Sequence, residues 1–193
     1  MLIKNEFQVA APVDKVWQFF GDIPQVAACL PGTELTNDLG DDRYEGRVAV
    51  RMGPVRLQFA GKADITERDE AAKRVVVNAT GAEEKGRGQA SMVVTAVLAQ
   101  AGRGTKVSVT QDLQLSGAAA QYGRGMISDV SAVLMRDFSV NLANRIDRTE
   151  RGLGPADQAT ATPASGFTLG MRAAMMALRR VFRRFFVPYQ AAS

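Results

Sequence analysis

The sequence lacks histidine entirely and contains a single cysteine, Cys29, in 193 residues. Histidine is the side chain that most often serves as a general base near neutral pH, and it is the commonest ligand of transition metals. Its absence removes the usual catalytic triads and most transition-metal sites. One cysteine forms no intramolecular disulfide, which is typical of a reducing compartment. We therefore expect neither catalytic residues nor a metal site.

Acidic residues are absent from the last part of the chain, which keeps five arginines. No Asp or Glu follows Asp157, so the net charge of +4 divides into −1 for residues 1–157 and +5 for residues 158–193. A nucleic-acid-binding domain spreads basic residues over its folded surface, and we therefore expect no nucleic-acid partner. The sequence also starts without the apolar run of a signal peptide, which favours a cytoplasmic location.

Residues 167–193 have the pattern of a basic amphipathic helix. At about 100° per residue the large apolar side chains gather on one face and the arginines on the other. The residues expected to contact a membrane are Phe167, Met171, Arg172, Leu178, Arg179, Arg180, Phe182, Arg183, Arg184, Phe185 and Phe186. A transmembrane span is excluded because each arginine would cost about 2.5 to 3.5 kcal/mol near the bilayer centre. The pattern is typical of a helix lying on an anionic membrane surface, although a helix docked on a partner protein and a disordered tail also fit it.

Residues 151–166 separate this tail from the rest of the chain. The stretch is rich in Gly, Pro, Ala, Ser and Thr and shows no apolar periodicity, which is typical of a flexible linker. A linker of this length reaches ~20–24 Å on average. We therefore predict three parts, namely a folded domain over residues 1–150, a linker over 151–166 and a membrane-binding helix over 167–193.

The folded domain begins with one strand and two short helices. Residues 2–9 alternate between apolar and polar side chains, which predicts a half-buried strand. Pro12 suits the first turn of a helix that continues to Phe20, and Gly21–Pro24 ends it and starts a second one. From Thr33 to Ser116 the alternation returns in six strands separated by turn signals. One apolar and one polar face per strand is what an antiparallel sheet covered on a single side requires.

A helical period replaces the alternation from about Gly117 to Arg148. The apolar stripe of this segment consists of Ile127, Val130, Leu134, Phe138 and Leu142. A helix of roughly 30 residues is ~45 Å long, which is enough to cross a curved sheet. We therefore predict an α+β helix-grip fold, in which a curved antiparallel seven-stranded sheet wraps around a long C-terminal helix.

Six short motifs of the folded domain point to a known family. They are Ala11–Trp17, Ala27–Gly32, Gly53–Pro54, Phe59–Gly61, Gly104–Gly117 and Gln121–Ile127. In this combination the chain resembles the CoxG family, the G subunits of carbon monoxide dehydrogenase, which is a branch of the START-like (SRPBCC) helix-grip superfamily. The resemblance covers about residues 1–146. The Leu-Pro-Gly of residues 30–32 and the Gly-Arg-Gly of residues 123–125 are the more specific motifs. The linker and basic tail also resemble the C-terminal extension of longer members.

The resemblance implies a non-enzymatic accessory protein. Such proteins are encoded beside molybdenum hydroxylases and are associated with recruiting the enzyme to the cytoplasmic membrane. The implied partners are a molybdenum carbon monoxide dehydrogenase or a related hydroxylase, an anionic membrane surface and a hydrophobic ligand, with the protein peripheral on the inner face of the membrane. A respiratory quinone, menaquinone or ubiquinone, would suit this setting as a bound ligand, and no covalent cofactor is expected.

An apolar cavity between sheet and helix is a further implication of the resemblance. Its expected lining is Trp17, Phe20, Tyr44, Val48, Phe59, Met92, Val94, Gln111, Met126, Val130, Leu134 and Phe138. Gln111, Ser131 and Asn141 would orient the head group of a ligand in this apolar pocket. Alternatively, a bulge turns Gln111 outward, or these groups are core polar residues with internal partners. A solid core in place of the cavity is also open.

Other functions stay open at this stage. START-like folds also host cyclases and hydrolases, but the chain lacks histidine and any adjacent pair of a suitable acid and base. A carrier of a different hydrophobic ligand and an assembly factor for the dehydrogenase are the remaining alternatives. Gly81–Gly88 contains closely spaced glycines and charges and is predicted to be a loop, at the cavity mouth or on a partner surface. Cys29 is predicted to be a buried small apolar residue.

Overall fold

The computed structural model describes residues 1–152, which form an antiparallel sheet and a long helix packed against it. The elements are β1 (Leu2–Val9), α1 (Val13–Gly21), α2 (Ile23–Cys29), β2 (Thr33–Gly40), β3 (Arg43–Met52), β4 (Val55–Asp69), β5 (Arg74–Glu83), β6 (Gln89–Ala101), β7 (Gly104–Leu115) and α3 (Arg124–Glu150). The seven strands lie in the order β1-β7-β6-β5-β4-β3-β2. The predicted α+β helix-grip fold is confirmed. The predicted tail helix and nearly all of the predicted linker lie outside the described residues.

The alternation of the strands places their apolar residues on the face covered by α3. In β1, Ile3 and Val9 are buried while Lys4, Glu6 and Gln8 are exposed. The strand then pairs with β7 at the other end of the chain, so that Ile3 lies opposite Gln111. Because side chains alternate between the two faces, this register puts the apolar rows of both strands on the same side.

The two short helices begin where the sequence indicates. Pro12 directly precedes α1, and its fixed backbone angle is compatible with a helix start. The carboxylate of Asp22 accepts a hydrogen bond from the backbone N–H of Gln25 at 3.1 Å and thereby caps α2. Both helices pack on the sheet through buried residues such as Val16 and Cys29.

The long helix begins later than its sequence pattern predicts. Gly117–Gln121 form a separate 3₁₀ turn, and Tyr122 and Gly123 are extended before α3 starts at Arg124. The backbone φ of Gly117 is +66°, and a Cβ there would lie 2.2 Å from the carbonyl oxygen of Arg87. The chain therefore has to turn here against the β5–β6 loop before a regular helix can form. The 27 residues of α3 span about 40 Å.

The antiparallel topology divides the connections between two ends of the domain. The β3–β4 turn (53–54), the β5–β6 loop (84–88) and the link from β7 to α3 (116–123) lie at one end, which we call the loop end. The β2–β3, β4–β5 and β6–β7 turns lie at the opposite end with α1 and α2, which we call the helix end. The C-terminus of α3 reaches the helix end, where Lys15 and Glu150 form an ion pair.

The buried apolar residues form two separate clusters rather than one continuous core. The helix-end cluster contains Val9, Ala11, Val16, Phe19, Phe20, Cys29, Val75, Ala96, Leu98, Val107, Val109, Phe138, Leu142 and Ile146. The loop-end cluster contains Ile3, Met52, Leu57, Ala119, Ile127 and Val130. Both clusters include residues of α3, which therefore connects them along its length.

Candidate ligand-binding cleft

The sheet register aligns the predicted cavity residues on the face that α3 covers. Tyr44 lies opposite Ala63, Val48 lies opposite Phe59 and Val94 lies opposite Gln111. Because directly opposed residues share a face of the sheet, these strands contribute to one concave surface. The strand residues of the predicted lining are thus brought together by the fold.

The centre of this concave surface carries little side-chain volume. The register aligns Gly46, Gly61, Gly81 and Ala90 across four neighbouring strands. A Cβ at Gly61 would lie only 1.9 Å from the carbonyl oxygen of Thr80, so no larger residue fits there without moving the backbone. The row of small residues therefore contributes little side-chain volume to the concave surface.

Side chains on the concave surface and on the facing helix remain partly exposed, which indicates a cleft between sheet and α3. Val48 is 37% exposed although it belongs to the inward-facing apolar row of β3. Met126, in the first turn of α3, is 44% exposed. Tyr44 and Met92 are half-buried and, like Val48 and Met126, belong to neither cluster of described residues. In a solid core such residues would be buried among apolar neighbours.

The structure places the twelve predicted lining residues in different environments. Tyr44, Val48, Met92 and Met126 belong to neither cluster and remain partly exposed. Residues of the helix-end cluster, or packed against it, are Trp17, Phe20, Val94 and Phe138. Residues of the loop-end cluster, or packed against it, are Phe59, Val130 and Leu134. Gln111 is buried on the concave surface among polar partners.

Gln111 points inward and takes part in a hydrogen-bonded chain that joins three elements. The hydroxyl of Ser131 on α3 donates to Oε1 of Gln111 at 2.9 Å. The Nδ2 of Asn5 on β1 donates to the same serine hydroxyl at 3.0 Å. No bulge turns Gln111 outward, since β6, β7 and β1 pair without a register shift at this position. The chain of side chains fixes α3 on the sheet.

The other predicted polar residue of α3 has a structural partner. The Nδ2 of Asn141 donates to the backbone carbonyl of Cys29 at 3.0 Å, which ties the end of α2 to the long helix. Cys29 itself is 0% exposed, and burial raises the pKa of its thiol to about 11. The thiol is therefore protonated near neutral pH and unreactive, as expected for a packing residue.

The β5–β6 loop is organised by a carboxylate that the sequence pattern does not reveal as important. Glu83 is 3% exposed, and it accepts hydrogen bonds from the guanidinium of Arg87 at 2.7 and 3.2 Å and from the backbone N–H of Lys85 at 2.9 Å. The hydrogen bonds from Arg87 are the main reason why the pKa of Glu83 falls to about 2. The four-residue spacing of Glu83 and Arg87 was the signal that could have indicated this pair.

The outer face of the sheet carries a separate depression of about 580 Å³ over β4 to β7. Its lining contains polar side chains such as Lys62, Thr80 and Gln114 and none of the predicted cavity residues. Within residues 1–152 there is also no group of three acidic or cysteine side chains placed to hold a metal ion. The cleft under α3 is therefore the candidate site.

Residues 6–147 match the family model for the G subunit of carbon monoxide dehydrogenase (CoxG). The chain belongs to the CoxG family. The match covers all elements from β1 to nearly the end of α3, and so includes the whole cleft. No curated protein matches the chain.

Solved structures confirm the fold of this CoxG family member. A conserved protein from Geobacillus kaustophilus superposes with a TM-score of 0.69 at 18% identity, over 77% of this chain and 97% of that chain. An aromatase/cyclase from Streptomyces sp. R1128 gives 0.57 at 17% identity, over 81% and 99%. The protein TTHA0849 from Thermus thermophilus gives 0.54 at 16% identity, over 75% and 98%. At these identities the similarity concerns the fold alone.

Among residues 1–152, no helix is both long enough and apolar enough to span a membrane.

Proposed function

We propose that this protein is a non-enzymatic accessory protein that recruits a molybdenum carbon monoxide dehydrogenase, or a related hydroxylase, to the inner face of the cytoplasmic membrane. Membership of the CoxG family supports the link to the dehydrogenase. The basic amphipathic segment of residues 167–193 supports the link to an anionic membrane, since each arginine near such a surface contributes about 1 kcal/mol to binding.

The cleft under α3 adds a second element to the proposal, which is a bound hydrophobic ligand. The observation that carries it is the set of apolar side chains, including Val48 and Met126, that stay exposed between the two core clusters. Apolar walls with few polar groups are typical of small-molecule sites. We infer that the ligand is a respiratory quinone, menaquinone or ubiquinone, which would connect the dehydrogenase to the respiratory chain.

The ligand is tested by a substitution that fills the cleft. Ala79 lies on the concave surface between Ala63 and Met92, whereas its neighbour Thr80 is exposed on the outer face. We expect organic extraction of the purified full-length protein to release a quinone that mass spectrometry identifies. Ala79→Phe should remove most of this ligand with little loss of stability, and the control Thr80→Phe should retain it.

Other outcomes of this experiment contradict the ligand proposal. If the centre of the concave surface is solid core, Ala79→Phe overpacks it and lowers the free energy of unfolding by about 1 to 3 kcal/mol. Extraction of a phospholipid instead of a quinone would identify a carrier of a different hydrophobic ligand. The absence of any extractable ligand from the unsubstituted protein would contradict the carrier role.

The membrane anchor is tested by removing the predicted tail helix. Deletion of residues 167–193 removes five arginines and the large apolar side chains between them. We expect the truncated protein to lose co-sedimentation with vesicles that contain phosphatidylglycerol, while the full-length protein binds them less strongly as the salt concentration rises. Unchanged binding of the truncated protein would show that the tail is not the anchor.

A further inference from the structure

Several exposed basic side chains lie at the loop end of the folded domain. The loop end carries the exposed side chains of Arg51, Arg56, Lys85 and Arg124. Among the residues that the structure describes, none of these four forms an ion pair with an acidic side chain. The nearby Arg87 is instead occupied by Glu83. These four side chains therefore leave positive charge at the loop end without an acidic partner among the described residues.

Two of these placements are unfavourable for the isolated domain. Arg51 and Arg56 lie directly opposite each other on β3 and β4, and like charges in opposed positions destabilise a sheet. Arg124 occupies the first turn of α3, which contains no acidic residue. The N-terminus of a helix carries a partial positive charge, so a basic residue is unfavourable there. An anion bound at the loop end would relieve both repulsions.

At the helix end, several basic side chains have acidic partners. There Arg68 pairs with Asp42 at 2.9 Å and Lys73 pairs with Asp14 at 3.0 Å. Asp14 lies in the first turn of α1 and thus in the favourable position for an acidic residue. Arg103 and Arg148 are exposed at this end without an ion pair among the described residues. The two unfavourable placements, which are directly opposed arginines and a first helical turn with a basic but no acidic residue, occur at the loop end.

Exposed apolar side chains accompany the charges at the loop end. Met126 is 44% exposed in the first turn of α3, and Pro54 is exposed at the tip of the β3–β4 turn. Unpaired arginines around exposed apolar groups match the boundary between lipid headgroups and acyl chains. The charges come from three different parts of the fold that lie at the same end of the domain.

We propose that the loop end of the folded domain rests on the anionic headgroups of the membrane, with Arg51, Arg56, Lys85 and Arg124 as the contacting residues. The proposal rests on the membrane recruitment proposed above and adds an orientation to it. Met126 is one of the predicted lining residues, so this orientation turns the first turn of α3 and the adjoining part of the proposed cleft toward the bilayer. A hydrophobic ligand then has a short path between the cleft and the lipid.

The length of the linker is compatible with this orientation. The chain leaves α3 at the helix end, about 40 Å from the loop end. A linker over residues 151–166 spans up to about 53 to 58 Å when extended. The predicted tail helix and the loop end can therefore contact the same membrane.

The orientation is tested in the full-length protein with an environment-sensitive fluorophore on an introduced thiol. Cys29 is 0% exposed and does not compete for the label. We expect a probe at Met126→Cys to shift to the blue when vesicles containing phosphatidylglycerol are added. A probe at Ala71→Cys, exposed in the β4–β5 turn at the helix end, should not respond.

The possible failures of this experiment are distinguishable. Co-sedimentation without a response at Met126→Cys would overturn the orientation and leave recruitment by the tail intact. The absence of co-sedimentation would overturn both proposals. A response at Met126→Cys to purified dehydrogenase but not to vesicles would assign the loop end to the partner enzyme, and thereby overturn the assignment to lipid.

Charge substitutions provide a second and independent test. Arg51→Gln with Arg56→Gln should weaken vesicle binding of the full-length protein about fivefold for each arginine removed. The matched control is Arg103→Gln with Arg148→Gln, which removes the same charge from exposed positions at the helix end. Equal losses of affinity in both double variants would reflect net charge alone and would overturn the proposed contact.

Discussion

Among single residues, Glu83 shows how a charged side chain can organise a loop. Its buried carboxylate accepts hydrogen bonds from Arg87 and from two backbone N–H groups. The sequence predicts a loop here because of its glycines, but it does not show that the glutamate points inward. That orientation follows from the β4–β5 register, which places Glu83 opposite Phe59 on the concave surface.

Replacement of Glu83 tests this role through its dependence on pH. The pKa of Glu83 in the folded protein is about 2, mainly because Arg87 stabilises the ionised form. A lowered folded-state pKa contributes stability above the pKa of the unfolded state, and this contribution is lost as the pH falls toward the folded-state value. Glu83→Gln should therefore lower the urea midpoint at about pH 7, and lower it much less at about pH 3, which is below the ordinary pKa of a glutamate.

The adjacent residue supplies the control. Glu84→Gln makes the same chemical change at an exposed residue that pairs with Arg47 at 3.3 Å. Exposed pairs contribute about 0 to 1 kcal/mol, so little change is expected at either pH. A Glu83→Gln effect that is as small as that of Glu84→Gln, or independent of pH, contradicts the role assigned to the buried carboxylate.

For Gln111, the sequence predicts the direction of the side chain but not its hydrogen-bond partners. Its position in the alternation of β7 correctly predicts an inward side chain. Its partners Ser131 and Asn5 come from an element 20 residues later and one 106 residues earlier, which no local pattern connects. Only the placement of α3 on the sheet showed that Gln111 is held by internal hydrogen bonds.

For the secondary-structure elements, the sequence predicts the strands better than it predicts the space between the sheet and α3. A period of two residues is sufficient to assign the inward rows, and the register confirms the row of Tyr44, Val48 and Met52 on β3. Whether an inward residue is buried depends on where α3 crosses the sheet. Phe138 is therefore buried in the helix-end cluster while Val48 stays exposed, although both fit the same apolar pattern.

The row of small residues across the sheet leads to a prediction about the β4–β5 pair. In Gly61→Ala the new Cβ would lie 1.9 Å from the carbonyl oxygen of Thr80, which belongs to the backbone and cannot rotate away. The strands must separate locally, so we expect the free energy of unfolding to fall by about 1 to 3 kcal/mol. Chemical denaturation measures this change.

Gly21, where an added Cβ would contact no other atom, provides the matched control. A Cβ at Gly21, the last residue of α1, would meet no atom within 4 Å. Gly21→Ala should be neutral or stabilise the protein by up to about 1 kcal/mol, because alanine loses less conformational freedom on folding. Similar stabilities of the two variants would contradict the close approach of β4 and β5.

For the whole molecule, the positive charge is concentrated in residues 158–193 and, within the folded domain, includes a group of exposed basic residues at the loop end. The folded domain is nearly neutral, residues 158–193 carry a net charge of +5, and four exposed basic residues, Arg51, Arg56, Lys85 and Arg124, lie together at the loop end. Charge counting along the sequence predicts the contrast between domain and tail. It does not predict the asymmetry within the domain, which depends on the alternation of hairpins between the two ends of the sheet.

Membrane recruitment is tested most directly by the location of carbon monoxide dehydrogenase in cells that produce the full-length protein, the protein without residues 167–193, or none. Activity assays on membrane and supernatant fractions with an artificial electron acceptor measure this distribution. We expect membrane-bound enzyme only with the full-length protein, and unchanged total activity in all three strains. Membrane-bound enzyme in the absence of the protein, or a loss of total activity, would contradict recruitment in favour of an independent anchor or of a role in enzyme assembly.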